Sequence, residues 1–286
     1  HAALPGLPAT GCALLISHDD PAQPGAWEHL LARQPATLPD YPLPGMEMVY
    51  SSGSTGKPKG VRKPMPARAW NAPDPRNAAI SATARLGPDS VYLSTSPLYH
   101  SAPHRYLAAS LNAGATVVVM ERFDAQASLE CIDRYGCTHS LWVPTMFHRL
   151  LKLDDAVRQR FRGERHRVAI HGAAPCPVPL KHAMIDWWGP ILIEYYSGSE
   201  GLGSTTIDSH EWLAHPGSVG KPRQVEVHVL DERFQQLPTG QVGTIYFDAP
   251  QAFSYWKDAE KTRDATSPQG WTTYGDIGYV DADGKV

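Results

Sequence analysis

The chain is short of cysteine, of net charge and of long apolar runs, and each shortage disfavours a class of protein. Its four cysteines form no CxxC pair, so we expect reduced thiols in a cytoplasmic protein rather than a disulfide framework. A formal net charge of −3 gives no reason to expect nucleic acid or a membrane surface as a partner. The sequence has no apolar run that could cross a bilayer, and its first residues do not resemble a signal peptide.

The sequence does offer a sizeable apolar content and a regular alternation of elements. Hydrophobic residues make up 42% of the 286 residues, enough for one large domain or two smaller ones. In the middle of the chain, runs such as "VYLSTSP", "ATVVVM" and "RVAIHG" alternate with helical patterns, which predicts mostly parallel sheets covered by helices. Later runs such as "VEVHVLD" predict a smaller antiparallel β-rich region. We therefore predict an α/β fold, with a central α/β part at 1–205 and a β-rich subdomain at 206–286.

Glycines, hydroxyls and lysines are concentrated in one stretch, "SSGSTGKPKG", at residues 51–60. It is not a Walker A loop, because only two residues separate Gly53 from Gly56 and Pro58 follows the first lysine. Glycine backbones let N–H groups approach an anion, and hydroxyls and lysines bind phosphate oxygens. Composition alone leaves a flexible linker and a phosphate-binding loop open. The second alternative assigns phosphate contacts to Ser51, Ser52, Gly53, Ser54, Thr55, Gly56 and Lys59.

The order of residues in and beyond this loop favours the phosphate-binding alternative. "VYSSGSTGKPKGV" resembles the phosphate loop of adenylate-forming enzymes, the superfamily of acyl-CoA synthetases, luciferase and peptide-synthetase adenylation domains. Further segments resemble that superfamily's motifs in the same order, from Tyr50 to Gly284, which is most of the chain. They are "SPLYHSAP", "HGAAPCP", "EYYSGSEG", "GSVGKP", "GQVGTIYF" and "GWTTYGDIGYVDADG".

The resemblance implies an activity. Such enzymes use ATP and Mg²⁺ to convert a carboxylic acid into an acyl-adenylate, and most then transfer the acyl group to coenzyme A. "PLYHSAP" and "YSGSE" are more similar to the acyl-CoA synthetase and fatty-acid–CoA ligase branch than to peptide synthetases, so a fatty or aromatic acid is expected. The resemblance also implies that these residues are the central part of a longer synthetase, without its small C-terminal lid domain.

The resemblance implies roles for specific residues. A lone glutamate is normally a solvated surface charge, but Glu200 matches the family's metal-binding glutamate. Ser199 stands where the family usually has threonine and keeps the hydroxyl that would contact the α-phosphate. Asp276 is expected to accept hydrogen bonds from the ribose hydroxyls, although Tyr274 replaces the threonine usual before the glycine of this motif.

The acid and the adenine have expected contacts as well. His100 would lie beside the substrate carboxylate, as a neutral donor or as a ring that gates the pocket; the alternative is a structural histidine. With Lys59 and Glu200 it completes the expected catalytic set. Tyr195 is expected to flank the adenine, since a flat ring stacks well on a purine. The full set of expected adenine-side residues is Gly172, Ala173, Ala174, Pro175, Glu194, Tyr195 and Tyr196.

Other functions remain open at this stage. One alternative is a non-catalytic nucleotide-binding module derived from the family, and another is an adenylating enzyme with an acceptor other than coenzyme A. A phosphotransferase is disfavoured because the Walker spacing is absent. The expected partners are thus a small carboxylic acid, ATP and CoA, and the sequence makes no prediction of oligomeric state.

Overall fold

The structure is a computed structural model that describes residues 32–33, 45–51, 58–69, 71–249 and 253–286. The chain divides into two compact units, one of residues 1–44 and 68–70 and the other of 45–67 and 71–286. Of the first unit, only a turn at 32–33 and residues 68 and 69 are described. Every assigned strand and helix belongs to the second unit.

The strands are short, as the brief apolar runs predict. In chain order they are β1 (Val49–Ser51), β2 (Lys59–Arg62), β3 (Val91–Ser94), β4 (Thr116–Val119), β5 (His139–Trp142), β6 (Val168–His171), β7 (Leu192–Ser197), β8 (Ser204–Asp208), β9 (Lys221–Arg223), β10 (Glu226–Leu230), β11 (Gly243–Asp248), β12 (Ser254–Tyr255) and β13 (Ile277–Gly278).

Aspartates begin several of the helices because a carboxylate accepts hydrogen bonds from the free N–H groups of the first turn. Asp74 accepts from Arg76 N at 2.9 Å, and Asp124 accepts from Ala127 N at 2.8 Å. The helices are α1 (Pro75–Ala84), α2 (Ser101–Asn112), α3 (Ala125–Tyr135), α4 (Pro144–Leu151), α5 (Asp155–Arg160), α6 (Val178–Trp188), α7 (Ser209–Ala214) and α8 (Ala259–Asp264).

Seven strands form the central sheet, in the order β4-β3-β5-β6-β7-β8-β9. In that order, each strand from β4 to β7 pairs with its neighbour in parallel. Strand β8 then pairs antiparallel with β7, and β9 pairs antiparallel with β8. The α/β class with a mostly parallel sheet is therefore confirmed. The expected division at residue 205 falls inside β8, and the sheet continues to Arg223, so that division stays a prediction.

Two small antiparallel sheets complete the described fold. One has the order β1-β2-β12 and the other β10-β11-β13. The second contains the expected strands "VEVHVL" and "GTIYFD", paired from Glu226–Asp248 to Leu230–Thr244. The first places Lys59 of the phosphate-loop hairpin next to the segment around Tyr255.

Apolar residues cover both faces of the central sheet, which is why its parallel strands read as nearly continuous apolar runs. On one face, Trp142 is fully buried, with its ring centroid 5.3 Å from that of Trp188 and 6.1 Å from that of Phe147. On the other face, Ile170 and Ile193 pack with residues of α1 and α2. The sheet is thus a rigid layer, and its strand ends carry the loops of interest.

Three histidines are buried in this layer: His139, His166 and His171. Burial lowers the pKa of His166 to about 3, helped by the neighbouring His139. Burial and the charge of Arg167 lower the pKa of His139 to about 4, and burial holds that of His171 well below its ordinary value. The folded chain therefore keeps these rings neutral at pH 7.

We expect the free energy of unfolding to fall as the pH drops from about 6.5 towards 4. In that window the histidines bind protons in the unfolded chain, whereas the buried rings of the folded chain stay neutral. The free energy of unfolding therefore falls by up to about 1.4 kcal/mol per pH unit for each histidine. Denaturant titrations across this range measure the slope. His166→Gln should make the slope shallower by about one proton, whereas His148→Gln, on the exposed side of α4, should not. An unchanged slope in His166→Gln would contradict this reading.

Candidate active site

The ends of β6 and β7 bring the expected nucleotide residues to one edge of the sheet. These strands are parallel neighbours, so the loop after His171 and the turn after Ser197 leave the sheet on the same side. Ligands of open α/β sheets bind outside the carboxyl ends of the strands. His100 follows β3, which belongs to the same parallel set, and it therefore emerges at the same edge.

Gly172 permits a close approach between the β6 loop and β7. A β-carbon at this position would lie 2.6 Å from the carbonyl oxygen of Tyr195 and 2.7 Å from its ring. The following residue, Ala173, has a φ of 66°, which is unusual for a residue with a side chain. Ala173, Ala174 and Pro175 are exposed, so this turn presents its backbone to the edge of the sheet.

Tyr195 and Tyr196 point to opposite faces of β7 because side chains alternate along a strand. The Tyr196 hydroxyl donates to Asp276 Oδ2 at 2.7 Å. The Tyr195 ring instead packs 5.8 Å from that of Tyr106 on α2. The structure therefore brings Tyr196, rather than Tyr195, together with the expected ribose-binding aspartate, and the stacking role of Tyr195 stays a prediction.

The Glu194 carboxylate is buried next to a lysine. It is 5% exposed and accepts a hydrogen bond from Lys181 Nζ at 2.6 Å, with His171 Nε2 3.9 Å away. Burial raises the pKa of Glu194 and lowers that of Lys181, while each partner opposes the shift of the other. The carboxylate thus belongs to a buried ion pair, and the expected cofactor-binding role of Glu194 stays a prediction.

Tyr274 holds the turn that carries Ser199 and Glu200. Its hydroxyl accepts from Leu202 N at 2.9 Å and from Gly203 N at 3.2 Å, and it donates to Gly203 O at 2.9 Å. A β-carbon on Gly198 would lie 2.3 Å from the Tyr274 ring, so glycine is required there. The tyrosine that departs from the family motif therefore has a structural role in this chain.

Tyr255 holds Glu200 itself. Its hydroxyl donates to Glu200 Oε1 at 2.7 Å. Burial and the hydrogen bond to Glu200 raise the pKa of Tyr255, which keeps this donor protonated. Lys59 Nζ lies 5.8 Å from the centre of the same ring, so Tyr255 links the loop lysine to the expected metal ligand.

The tip of the loop is not described. Ser52, Gly53, Ser54, Thr55 and Gly56 lie outside the described residues, and of Ser51 only the backbone, at the end of β1 opposite Lys59, is described. His100 is exposed and begins α2 without a capping bond from its side chain, with its ring 4.6 Å from that of Tyr99. Their phosphate and substrate roles stay predictions.

Sequence reasoning missed two contributors to this site. Tyr274 carried a signal, since it replaces the expected threonine inside a recognised motif. Tyr255 carried none, because it comes from the β12 segment and reaches Glu200 only through the pairing of β12 with β2.

The fold and this edge define a class of protein: an α/β domain with a tyrosine-braced pair of carboxylates at the ends of parallel strands. A profile described as "AMP-binding enzyme" matches residues 8–256. The chain belongs to that family, which confirms the resemblance to adenylate-forming enzymes.

Individual relatives agree with this assignment. The chain is 32% identical to a sulfoacetate–CoA ligase of Cupriavidus necator, over 98% of this chain and 50% of the ligase. It is 31% identical to 4-coumarate–CoA ligase 2 of Narcissus pseudonarcissus, over 86% of this chain and 44% of that enzyme. Among solved structures, the amide bond synthetase McbA from Marinactinospora thermotolerans matches with a TM-score of 0.67 and 27% identity, over 83% of this chain and 47% of the synthetase. The chain spans about half the length of the curated relatives it matches.

No helix in the described ranges is long and apolar enough to span a membrane.

Removing one member of the buried ion pair should destabilise the fold. We expect Lys181→Met to lower the free energy of unfolding by about 3–5 kcal/mol, because Glu194 loses its partner inside the protein. The double variant with Glu194→Leu should recover much of that loss. Asp89→Asn, which breaks the exposed pair with Arg167, should cost far less, because solvent screens that pair. Equal losses for the buried and exposed pairs in denaturant titrations would contradict this view.

Removing the Tyr274 hydroxyl should loosen the turn that carries Glu200. Tyr274→Phe leaves two backbone N–H groups without their acceptor, and we expect a loss of about 1–3 kcal/mol in unfolding free energy. Amide hydrogen exchange should also accelerate at Leu202 and Gly203. The matched control is Tyr135→Phe, which removes an exposed hydroxyl on α3. Unchanged exchange at those two amides would show that the hydroxyl does not hold the turn.

Proposed function

We propose that the complete protein activates a carboxylic acid with ATP and transfers the acyl group to coenzyme A. One observation carries the proposal: Glu200 and Asp276, from different segments, are each held by a tyrosine hydroxyl at the edge where β6 and β7 end. The family and the named CoA ligases among the relatives support it.

In this proposal Asp276 binds the ribose. Its backbone carbonyl accepts from Ile245 N at 3.0 Å, which anchors it to β11, and its side chain is exposed. Since the Tyr196 hydroxyl occupies only part of one carboxylate oxygen's capacity, acceptor capacity remains for a sugar diol. The adenine would then be flanked by Tyr195, which lies next to Gly172, and by the exposed turn at Ala173–Pro175.

Glu200 is suited to act as a ligand of Mg²⁺. Mg²⁺ is bound through one or two protein carboxylates together with substrate phosphates. Tyr255 fixes one oxygen of Glu200, and among the described residues no hydrogen-bond partner is found for the other. When bound, the ion would neutralise charge on the phosphates of ATP.

The proposed reaction joins two anions, and the chain supplies ways to reduce their repulsion. An oxygen of the acid attacks the α-phosphorus, pyrophosphate leaves, and a thiol later displaces AMP from the acyl carbon. Lys59 adds positive charge on the phosphate side, and the Ser199 hydroxyl would donate to the α-phosphate. His100 would orient the acid, so that its oxygen lies in line with the phosphorus.

A second candidate differs only in the acceptor. The similarity to an amide bond synthetase suits an amine in place of the CoA thiol. The acid itself is not chosen by the names of the relatives, which include ligases of aromatic acids and of sulfoacetate. One assay tests whether the acid is fatty or aromatic, as the sequence predicts. The same assay tests the alternative that the protein is a non-catalytic nucleotide-binding module.

The test uses the complete protein with ATP, Mg²⁺ and a panel of carboxylic acids, and measures pyrophosphate release. We expect release to depend on the acid, and Glu200→Gln to lower kcat/KM by about 10²–10³-fold. Asp276→Asn should raise the KM for ATP by about tenfold, since a charge-assisted hydrogen bond is weakened. Glu121→Gln, an exposed change after β4, is the matched control.

Three further outcomes are decisive. Consumption of the adenylate by CoA supports the ligase, whereas consumption only by amines supports the second candidate. Nucleotide binding without release for every acid would overturn both and leave a non-catalytic module.

A further inference from the structure

A cluster of positive side chains lies beside the proposed site. Glu47 Oε1 accepts from Arg76 Nη1 at 2.8 Å and from Arg105 Nη2 at 3.2 Å, so two guanidinium groups share one carboxylate. Arg76 has a second partner in Asp74 at 2.9 Å. Arg105 has no second carboxylate among the described residues, and its buried Nε lacks a hydrogen-bond partner there.

Lys63 adds a third positive charge to this cluster. It follows β2, and its Nζ lies 3.0 Å from the position that a β-carbon on Gly201 would take, next to Glu200. Burial and the charge of Arg105 lower the pKa of Lys63 to about 8. Within the described ranges no carboxylate lies within ion-pairing distance of Lys63, although the more distant charges of Glu47 and Glu200 act on it.

The cluster lies on the side of β7 away from the proposed ribose contact. Arg105 directly precedes Tyr106 on α2, and the ring of Tyr106 packs 5.8 Å from that of Tyr195 on β7. Tyr195 is on the opposite face of β7 from Tyr196 and Asp276. Arg105 also follows His100 by little more than one turn of α2, so both lie near the N-terminal end of that helix.

Aromatic rings, rather than an open apolar channel, occupy this side of the sheet. Tyr92 is fully buried in β3, Tyr106 is 7% exposed in α2, and the Tyr195 ring packs against Tyr106. These rings fill the layer between the strands and the helix, as native packing requires. A long acyl chain entering this layer would meet these rings, together with the cationic groups of Lys63 and Arg105.

We propose that Lys63 and Arg105 bind a second anionic group of the acid, a carboxylate or a sulfonate, so that the substrate is a short dianionic acid. This inference rests on the proposed function and departs from the fatty or aromatic acid expected from sequence. The guanidinium supplies directional donors and the ammonium supplies a point charge, a combination suited to a compact oxyanion.

The test compares acids of matched length on the complete protein, with acid-dependent pyrophosphate release as the readout. Malonate, succinate and 3-sulfopropanoate carry a second anion; propanoate and butanoate do not; octanoate and benzoate represent the sequence expectation. We expect kcat/KM for the best dianionic acid to exceed that of its monoanionic match by at least about tenfold.

Variants then assign that preference to the cluster. Lys63→Met and Arg105→Met should each lower kcat/KM for the dianionic acid by about 10–100-fold and leave the KM for ATP within about twofold. The same two variants should leave kcat/KM for the monoanionic acid of matched length nearly unchanged, or raise it. Lys152→Met, which removes an exposed lysine at the end of α4, controls for charge. Thermal unfolding checks that each variant is folded, and if Arg105→Met is not, Lys63→Met alone decides.

The possible failures are distinguishable. Preference for a monoanionic, fatty or aromatic acid overturns the inference and leaves the proposed function intact. A raised KM for ATP in Lys63→Met with every acid would assign the lysine to a phosphate and also overturn it. If no acid supports pyrophosphate release, the proposed function itself fails, and the inference fails with it.

Discussion

The proposed site depends on the way the turn between β7 and β8 is held in place. This turn carries Ser199 and Glu200, and its backbone amides at Leu202 and Gly203 find their acceptor in the Tyr274 hydroxyl rather than in a strand. Tyr255 then fixes the Glu200 carboxylate from another sheet. A buried or half-buried backbone N–H is costly to leave unpaired, so the tyrosine and the turn require each other. The central sheet and the antiparallel region are joined at this point.

Next to the turn, the central sheet contains buried polar groups. Glu194 and Lys181 form an ion pair inside the layer of β7 and α6, and buried neutral histidines lie in the adjoining strands. Such groups are stable only while their partners and their dry surroundings are kept. The contrast between this interior and the exposed turn at Ala173–Pro175 is what a binding edge needs: a fixed support and an accessible backbone.

Much of the fold follows from the sequence because its strands and helices have distinct periods. Alternating apolar runs predicted the parallel strands from β3 to β7, and the ordered motifs predicted the family, which the profile match confirms. Strands β8 and β9 were not expected in the central sheet, since "STTID" and "KPR" are not apolar and join it only through pairing with β7 and with each other. Local patterns do not contain such long-range pairings.

The candidate site was predictable to the extent that motifs fix it. Glu200, Asp276 and Gly172 lie at strand ends or turns where the motifs indicated, but the partner of each is distant in sequence. Glu194 shows the limit: the family motif predicts a cofactor-binding residue there, and only the structure shows that its carboxylate accepts a hydrogen bond from Lys181. Lys63 follows the recognised loop motif, and the sequence alone gives it no role. Its proposed role depends on Arg105 and Glu47, which belong to other segments of the chain.

Reversible adenylation is the central claim, and isotope exchange tests it most directly. The complete protein is incubated with ATP, Mg²⁺, labelled pyrophosphate and an acid, without CoA or an amine. Adenylation predicts that label enters ATP only when a suitable acid is present. Absence of exchange with every acid, or exchange that proceeds equally without acid, would contradict it.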